Sequence, residues 1–232
     1  MLSDAYLKKC SKQSLVVKYW SYLFEQHFSK KSLFLQWGDT IYTECKRLNL
    51  DFKLDLRFIA ETNKGPVDIS NGEFAKVQAA TKSKYYSDKL KAILTAKCHL
   101  NHLAQGLQGT PKGLKIPIIM VMGIDCHVFS LSLIDRGVYI LQQVLSISYP
   151  RMCHQVSKGG IAKLLDGFAV IEDLIDDTIN IYDEYSKNID NIIDKIDGNS
   201  KKKVDIDKWL SPVIWDEDDY SECSDTGEDE ED

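Results

Sequence analysis

Two periods of hydrophobic residues distinguish helices from strands in the first part of this chain. Over residues 14–28 apolar side chains recur at spacings of three and four, which is typical of an amphipathic helix. Residues 32–47 give a second helical pattern. Residues 50–58 alternate strictly between apolar and polar positions and give the clearest strand pattern in the sequence.

The second part of the chain predicts one helix, three strands and a long helix. Glycine, proline and asparagine between residues 65 and 72 indicate a loop or tight hairpin, and residues 85–103 have helical spacing. A compact turn at 135–137 predicts that the strands on either side of it pair as an antiparallel hairpin. The strands are predicted at 116–122, 127–133 and 138–148, and the long helix at 161–182, with a weaker continuation to 196.

This order of elements indicates an α/β (α+β) domain in which helices flank a mixed central sheet. We expect one globular domain over residues 1–185, a helical extension and polar linker over 186–208, a tryptophan-containing docking segment over 209–215 and an acidic tail over 216–232. Neither GxGxxG nor GxxxxGK[ST] occurs, which argues against a doubly wound nucleotide-binding fold. A chain of 232 residues can bury a core without disulfides or a structural metal.

The charge is distributed unevenly. The whole chain has 29 basic and 35 acidic residues, but residues 216–232 hold 11 of the acids and no base. Residues 1–215 therefore carry a net charge of +5. We expect the acidic tail to be disordered, because such a composition buries too little apolar surface to order a chain. Either it only solubilises the protein, or it competes with a polyanion for a basic face of its own domain.

The apolar segments and the cysteines indicate a cellular compartment. No apolar run is long enough to cross a bilayer and no signal peptide is evident, so we expect a soluble intracellular protein, cytoplasmic or nuclear. The six cysteines form no CxxC pair and are expected to be reduced. Cys98 and His102 have helical i, i+4 spacing, but we do not expect zinc, because adjacent strand residues such as Cys126 and His127 point to opposite sides.

Residues 51–76 concentrate the candidate chemistry. Asp55 lies on the polar side of a predicted strand, and Glu73 and Lys76 follow it by 18 and 21 residues. Such an arrangement resembles the Mg²⁺-dependent nucleases of the PD-(D/E)XK class. In those sites two carboxylates hold a hard cation that acidifies water and neutralises phosphate, and a lysine supports the attack. We therefore interpret Asp55 and Glu73 as metal ligands and Lys76 as the catalytic amine.

The spacing departs from the nuclease pattern at one position. That pattern has the carboxylate and the lysine at i and i+2, whereas Glu73 and Lys76 stand at i and i+3, so a regular strand would point them to opposite faces. Only a bulge would bring them together. Asp68 is an alternative first ligand and Glu44 a further candidate. Solvent-facing charges on a strand and turn remain the other interpretation.

Several segments together resemble a family of uncharacterised proteins from early-diverging (mucoralean) fungi. The resemblance covers roughly residues 14–185. What it implies is a nuclease ancestor, because the order of helix, acidic strands, helix and strand is similar to the restriction-endonuclease-like core. The segments that carry it are FKLDLRFI, SNGEFAK, SKYYSDKLKAILTAKCHLN, IPIIMVMGIDCHVFSLSL and RGVYILQQ.

Two further segments suggest partners. The predicted helix after residue 81 carries lysines beside two tyrosines, which favours contact with a nucleic-acid backbone. Trp209 and Trp215 lie in a short apolar island and are expected to dock on the domain or on a protein partner. The nucleic-acid-binding candidates are Lys82, Lys84, Lys89 and Lys91.

These features support two hypotheses of different classes. The first is a nuclease-like domain, active or degenerate, which would need Mg²⁺ only if it is active. The second is a non-enzymatic protein-protein interaction module that uses the tryptophan segment and the acidic tail.

Overall fold

A computed structural model describes residues 2–28, 33–76, 82–107, 110–187 and 205–214 of the chain. Six strands form one mixed sheet with helices packed against it. The strands are β1 (Leu33–Ile41), β2 (Lys53–Thr62), β3 (Gly65–Ala75), β4 (Lys115–Met122), β5 (Asp125–Asp135) and β6 (Val138–Ser148). The α-helices are α1 (Asp4–Lys9), α2 (Lys12–Leu15), α3 (Ser21–Phe28), α4 (Thr43–Arg47), α5 (Lys82–Gln105), α6 (Cys153–Ser157) and α7 (Gly160–Lys187).

The strands follow one another across the sheet in chain order, from β1 to β6. Among these six strands β3 and β4 are parallel, joined by the long helix α5, and every other neighbouring pair is antiparallel. A parallel connection needs such a crossover, whereas a short turn joins β2 to β3. The last pair of the parallel ladder is Ala75 with Met122, so β3 and β4 end at the same edge of the sheet.

Helices cover both faces of the central strands. As a result, β3 and β4 are buried along nearly their whole length. On one face Phe24 of α3 packs against Phe58, Phe74 and Phe168, with ring centroids 4.9–6.2 Å apart. Each such ring pair adds about 0.5–1.5 kcal/mol beyond the burial of its area. On the other face α5 contacts β3 and β4, and the Asn71 side chain donates to the Ala92 carbonyl.

Serine side chains cap the N-terminal ends of α1 and α2. The Ser3 hydroxyl accepts from the Tyr6 amide at the start of α1, and the Ser11 hydroxyl accepts from the Ser14 amide at the start of α2. The helix predicted over 14–28 is present as α2, a π-helical turn over Val16–Trp20 and α3. The cap at Ser11 makes Lys12 the first residue of α2.

The helix predicted over 32–47 is wrong for most of its length. The chain forms β1 there, and only α4 is helical. Gly38 has φ +100°, a conformation that no right-handed helix contains, and it lies at the irregularity in the β1–β2 pairing. Leu33, Leu35 and Trp37 turn toward the core with a strand period of two.

Most of the other predicted elements are confirmed, with shifted ends. The strand predicted over 50–58 forms as β2. The stretch 65–72, predicted as a loop or tight hairpin, instead forms most of β3. The hairpin of β5 and β6, α5 and α7 are present as predicted. Most of the predicted helical extension, together with Trp215 and the acidic tail, lies outside the described residues.

A C-terminal strap (residues 205–214) lies across α5. The buried Trp209 belongs to the main core, and its carbonyl accepts from the Gly137 amide in the turn between β5 and β6. Next along the strap, the Asn101 side chain donates to the Ser211 carbonyl and Lys97 donates to the Pro212 carbonyl. Both donors belong to α5, so the strap is fixed to the outer side of that helix.

None of the described helices has the length and apolar composition that a membrane span requires.

Candidate functional site

Two buried carboxylates lie side by side where β2 and β3 separate. The antiparallel ladder between these strands ends at the pair Leu56–Gly72, and Asp55 and Glu73 come directly after it, one on each strand. Only 7% of Asp55 and 3% of Glu73 is exposed. Since charged carboxylates are seldom buried without partners, this position requires an explanation.

A backbone amide and a lysine contact Asp55. Its Oδ2 accepts a hydrogen bond of 2.8 Å from the Phe74 amide, so the carboxylate takes the place of a strand carbonyl beyond the end of the ladder. Its Oδ1 lies 2.5 Å from Nζ of Lys12, at the beginning of α2. The capped start of α2 therefore brings a positive charge to this end of β2.

Glu73 has a second lysine as its neighbour. Nζ of Lys91, on α5, lies 2.9 Å from Oε1 of Glu73 and donates to the Lys53 carbonyl at 2.8 Å. Oε1 of Glu73 is fully buried, and the ammonium group of Lys91 is its charged partner.

The charges at the site are coupled. Burial raises the pKa of Glu73 and the charge of Lys91 opposes it, while the charge of Asp55 adds to the rise, with a net result of about 8. Burial also opposes the charged form of Lys12, but the hydrogen bond and charge of Asp55, with the charges of Glu73 and Asp39, raise its pKa above the usual value. The four side chains thus form one electrostatic unit, here called the carboxylate–lysine cluster (Lys12, Asp55, Glu73 and Lys91).

The carboxylate–lysine cluster lies at the edge of the sheet where the parallel strands end. Glu73 pairs in register with Met120, two residues before the end of β4. A surface pocket of about 510 Å³ opens beside Met122 at this edge, and its lining includes Lys8 and Arg151. Ligands of sheets with parallel strands commonly bind beyond the carboxyl ends of those strands.

Lys76, interpreted from the sequence as the catalytic amine, is exposed just beyond the end of β3. Among the contacts of the described residues, the amines beside the two carboxylates belong to Lys12 and Lys91. No bulge between Glu73 and Lys76 appears in the β3 pairing, which runs in regular register with β4 to Ala75. The structure therefore does not bring Lys76 to Glu73.

The two alternative acids lie in other contacts. Asp68 forms a two-point ion pair with Arg57, with distances of 2.7 and 2.8 Å, and Arg57 also donates to Gln36. Glu44 lies 2.7 Å from Arg47 and 3.5 Å from His102. Neither acid is paired with a lysine of the carboxylate–lysine cluster.

The lysines predicted to bind nucleic acid all belong to α5. Lys91 is in the carboxylate–lysine cluster, and Lys84 lies 3.3 Å from a carboxylate oxygen of Asp88. Nζ of Lys89 lies 4.2 Å from the ring centre of Phe129. Lys82 is the first residue of α5, and its side chain is outside the described part of the structure.

The tryptophan segment docks on its own domain. Trp209 is 8% exposed, with the ammonium group of Lys112 positioned over its ring. Trp209 is therefore buried rather than presented to a partner, and Trp215 lies outside the described residues. The interaction-module hypothesis accordingly depends on segments that the structure does not describe.

Cys98 lies beside Cys45 in a small second core with Tyr42, Leu50 and Phe52. A hydrogen bond with Cys45 and burial raise the pKa of the Cys98 thiol well above its usual range. Within the described ranges, no three His, Cys, Asp or Glu side chains are grouped to hold a metal ion. Any cation at the carboxylate–lysine cluster would therefore take only two protein carboxylates.

The sequence predictions missed Lys12 and assigned Lys91 a different role. Lys12 lies 43 residues from Asp55 and precedes the predicted helix, so no local pattern connects the two. The separation of 18 residues from Glu73 to Lys91 contains no motif. Helical periodicity places Lys84 and Lys91, seven residues apart, on one side of α5. This spacing is the sequence pattern that could have indicated a shared lysine face.

Comparisons with protein-family models, curated proteins and solved structures give no match. The resemblance to the fungal family therefore stays a prediction.

Proposed function

We propose that this chain is a restriction-endonuclease-like (PD-(D/E)XK) domain that hydrolyses phosphodiester bonds with the help of Mg²⁺. The order of elements supports the proposal: a helix, an antiparallel hairpin that carries two acids, a crossover helix and a parallel strand. Because a fold alone does not establish an activity, the proposal depends on the chemistry at the carboxylate–lysine cluster.

One observation carries the proposal: two buried carboxylates from neighbouring strands follow the same ladder pair, and each lies against a lysine. Carboxylate oxygens are what Mg²⁺ prefers, and Mg²⁺ commonly binds one or two carboxylates and keeps several waters. The residues present therefore fit the ion, with Asp55 and Glu73 as its holders. When bound, Mg²⁺ supplies positive charge that acidifies water and offsets the charge of a phosphodiester.

The chain's own groups have separate tasks. Lys12 holds Asp55 in place through its 2.5 Å contact, together with the Phe74 amide. We assign to Lys91 the catalytic role that the sequence interpretation gave to Lys76. Its ammonium group lies beside Glu73 and can contact a phosphate oxygen there. Because the pKa of Glu73 is about 8, its carboxyl is largely protonated at neutral pH and loses that proton when a positive charge arrives.

Nucleic acid is the substrate class that the surroundings favour. Lys84 lies seven residues before Lys91 on the same side of α5 and extends the positive charge toward the beginning of that helix, whereas Lys89 lies about 140° around the helix from Lys84. Ammonium groups on one helix face contact a phosphate backbone without reading its sequence. We therefore expect cleavage with little sequence preference.

A plasmid-nicking assay in Mg²⁺ or Mn²⁺ tests the proposal. Glu73→Gln keeps the shape of the side chain but removes its charge, so nicking should fall about 100-fold or more. Nicking by the wild-type chain that persists unchanged in Glu73→Gln would contradict the assignment of Glu73.

Two lysine variants form a matched pair in the same assay. Lys91→Met should lower nicking about 10- to 100-fold, because it removes a charge that we place at the phosphate. Lys76→Met should change it less than about twofold, since exposed side chains away from a site have small effects. If Lys76→Met lowered nicking more than Lys91→Met, the catalytic amine would be that of Lys76.

A further inference from the structure

We infer that the acidic segment 216–232 binds the lysine side of the carboxylate–lysine cluster and competes there with the phosphate backbone of a nucleic acid. The inference rests on the proposed function, since it concerns the regulation of the same site. It is argued from the place where the described chain ends and from complementary charge.

The C-terminal strap leads toward the carboxylate–lysine cluster. After Pro212, Val213 packs against the second core, the same cluster of residues against which Leu94 of α5 packs. Leu94 is three residues from Lys91, which corresponds to about 4.5 Å along a helix. Phe52, a member of that core, is next to Lys53, whose carbonyl accepts from Lys91. The last hydrogen bond of the strap with α5 is at Lys97, six residues or about 9 Å along the helix from the lysine that contacts Glu73.

The acidic residues begin immediately beyond the strap. Ile214, the last residue of the strap, is 74% exposed, and Asp216 follows two residues later. An extended chain of 17 residues spans at most about 60 Å, whereas Lys84 and Leu94 are about 15 Å apart along α5. Residues 216–232 can thus reach every lysine of the carboxylate–lysine cluster and of the first half of α5.

The charges of the two partners are opposite. Residues 216–232 contain 11 acids and no base, which makes the segment a polyanion like the backbone of a nucleic acid. On the domain, Lys84 and Lys91 lie on one side of α5, and Lys12 lies at the other carboxylate of the cluster. Each of these three lysines is also paired with an acid of the domain, and Lys89 lies on another side of the helix. Tethering adds to the attraction, because a short linker gives an effective concentration of the order of millimolar.

The expected inhibition follows from that concentration. If a free peptide of this sequence binds with a dissociation constant of about 0.1 mM, an effective concentration of about 1 mM weakens binding of a competing polyanion about tenfold at low salt. High salt screens both interactions and should reduce the difference to less than about twofold.

The first experiment compares two full-length chains. In one, all eleven acids of residues 216–232 are replaced by Asn or Gln, and the other is wild type. Their affinities for a fluorescein-labelled 20-nucleotide DNA single strand are measured by fluorescence anisotropy in EDTA. We expect binding about tenfold tighter in the neutralised chain at about 50 mM salt. Equal affinities would overturn the inference. A full-length chain with these residues in shuffled order is the matched control and should bind as weakly as the wild type.

The second experiment separates this inference from the proposed function. A synthetic peptide of residues 216–232 is titrated into the ¹⁵N-labelled neutralised chain, and we expect the largest amide shifts around Lys53 and Lys91. If those shifts occur in a chain that nicks no plasmid, the segment's contact stands and the nuclease proposal fails. If the chain nicks plasmid but the shifts lie elsewhere or are absent, the nuclease proposal stands and this inference fails.

Discussion

Two buried charged clusters lie on the same pair of strands, and they differ in how completely their charges are matched. Nε and Nη2 of Arg57 donate to the two carboxylate oxygens of Asp68 in one two-point contact, and Nη1 donates to Gln36. In the carboxylate–lysine cluster, a single ammonium group, that of Lys91, lies at Oε1 of Glu73, and the pKa of Glu73 is raised to about 8. Two acids buried to a similar extent therefore differ in how fully their surroundings compensate a negative charge.

The largest effect on stability is expected at the matched pair. Arg57→Leu should lower the free energy of unfolding by about 3–5 kcal/mol, because it leaves Asp68 charged and buried without its partner. Urea denaturation at pH 7 measures the change. The double variant Arg57→Leu/Asp68→Leu is the control and should recover most of the loss. A loss below about 1 kcal/mol in the single variant would show that Asp68 finds another partner.

An effect of the opposite sign is expected at Glu73. Its pKa is raised from 4.5 to about 8 by folding, so the protonated form stabilises the folded state. This contribution is complete below pH 4.5 and is lost as the pH rises through 8. Glu73→Gln resembles the protonated form and should raise the free energy of unfolding by about 4 kcal/mol at pH 8.5, with little change at pH 4.5.

Urea denaturation across this pH range checks the prediction at Glu73. Glu61→Gln is the matched control, because Glu61 is an exposed glutamate of the same strand pair, on β2, and its replacement should leave the pH dependence as in the wild type. A Glu73→Gln chain that is less stable than the wild type at every pH would contradict the raised pKa.

The smallest of these effects is stabilisation by Mg²⁺. An ion that binds only the folded chain stabilises it by RT ln(1 + [L]/Kd), or about 1.4 kcal/mol at 10 mM ion for a Kd of about 1 mM. Thermal unfolding at pH 8 should show this rise for the wild type and not for Glu73→Gln. NaCl at matched ionic strength is the control. An equal rise in both chains would mean that Mg²⁺ binds elsewhere.

The sequence predicted most of the fold, because amphipathic periodicity is strong in the elements that bury one face. The 138–148 strand has its predicted ends, and α5 and α7 differ only at their termini. The failure at 32–47 has a physical cause. The edge strand β1 buries few of its residues, and Phe34 is largely exposed, so its alternation is weak and the spacing of Leu33, Trp37 and Ile41 imitates a helix.

The candidate site was predicted only in part. The sequence nominated Asp55 and Glu73 because they lie on consecutive strand-like segments, and β-sheet register places them beside one another. It could not identify the amines, because Lys12 and Lys91 reach the acids through the packing of helices on the sheet. Lys76 was nominated by its proximity in sequence, a criterion that alternation along a strand makes unreliable at a separation of three.

The hydrogen bond from the Phe74 amide to Asp55 affects how relatives of this chain should be interpreted. Under the proposed function, a lineage that lost cleavage would still need an acceptor for that buried amide, so selection for folding alone can retain an acid or amide at position 55. An acid there is weak grounds for assigning activity to a relative. Glu73 is paired with Lys91 instead, and its replacement is the change that the proposed function associates with loss of cleavage.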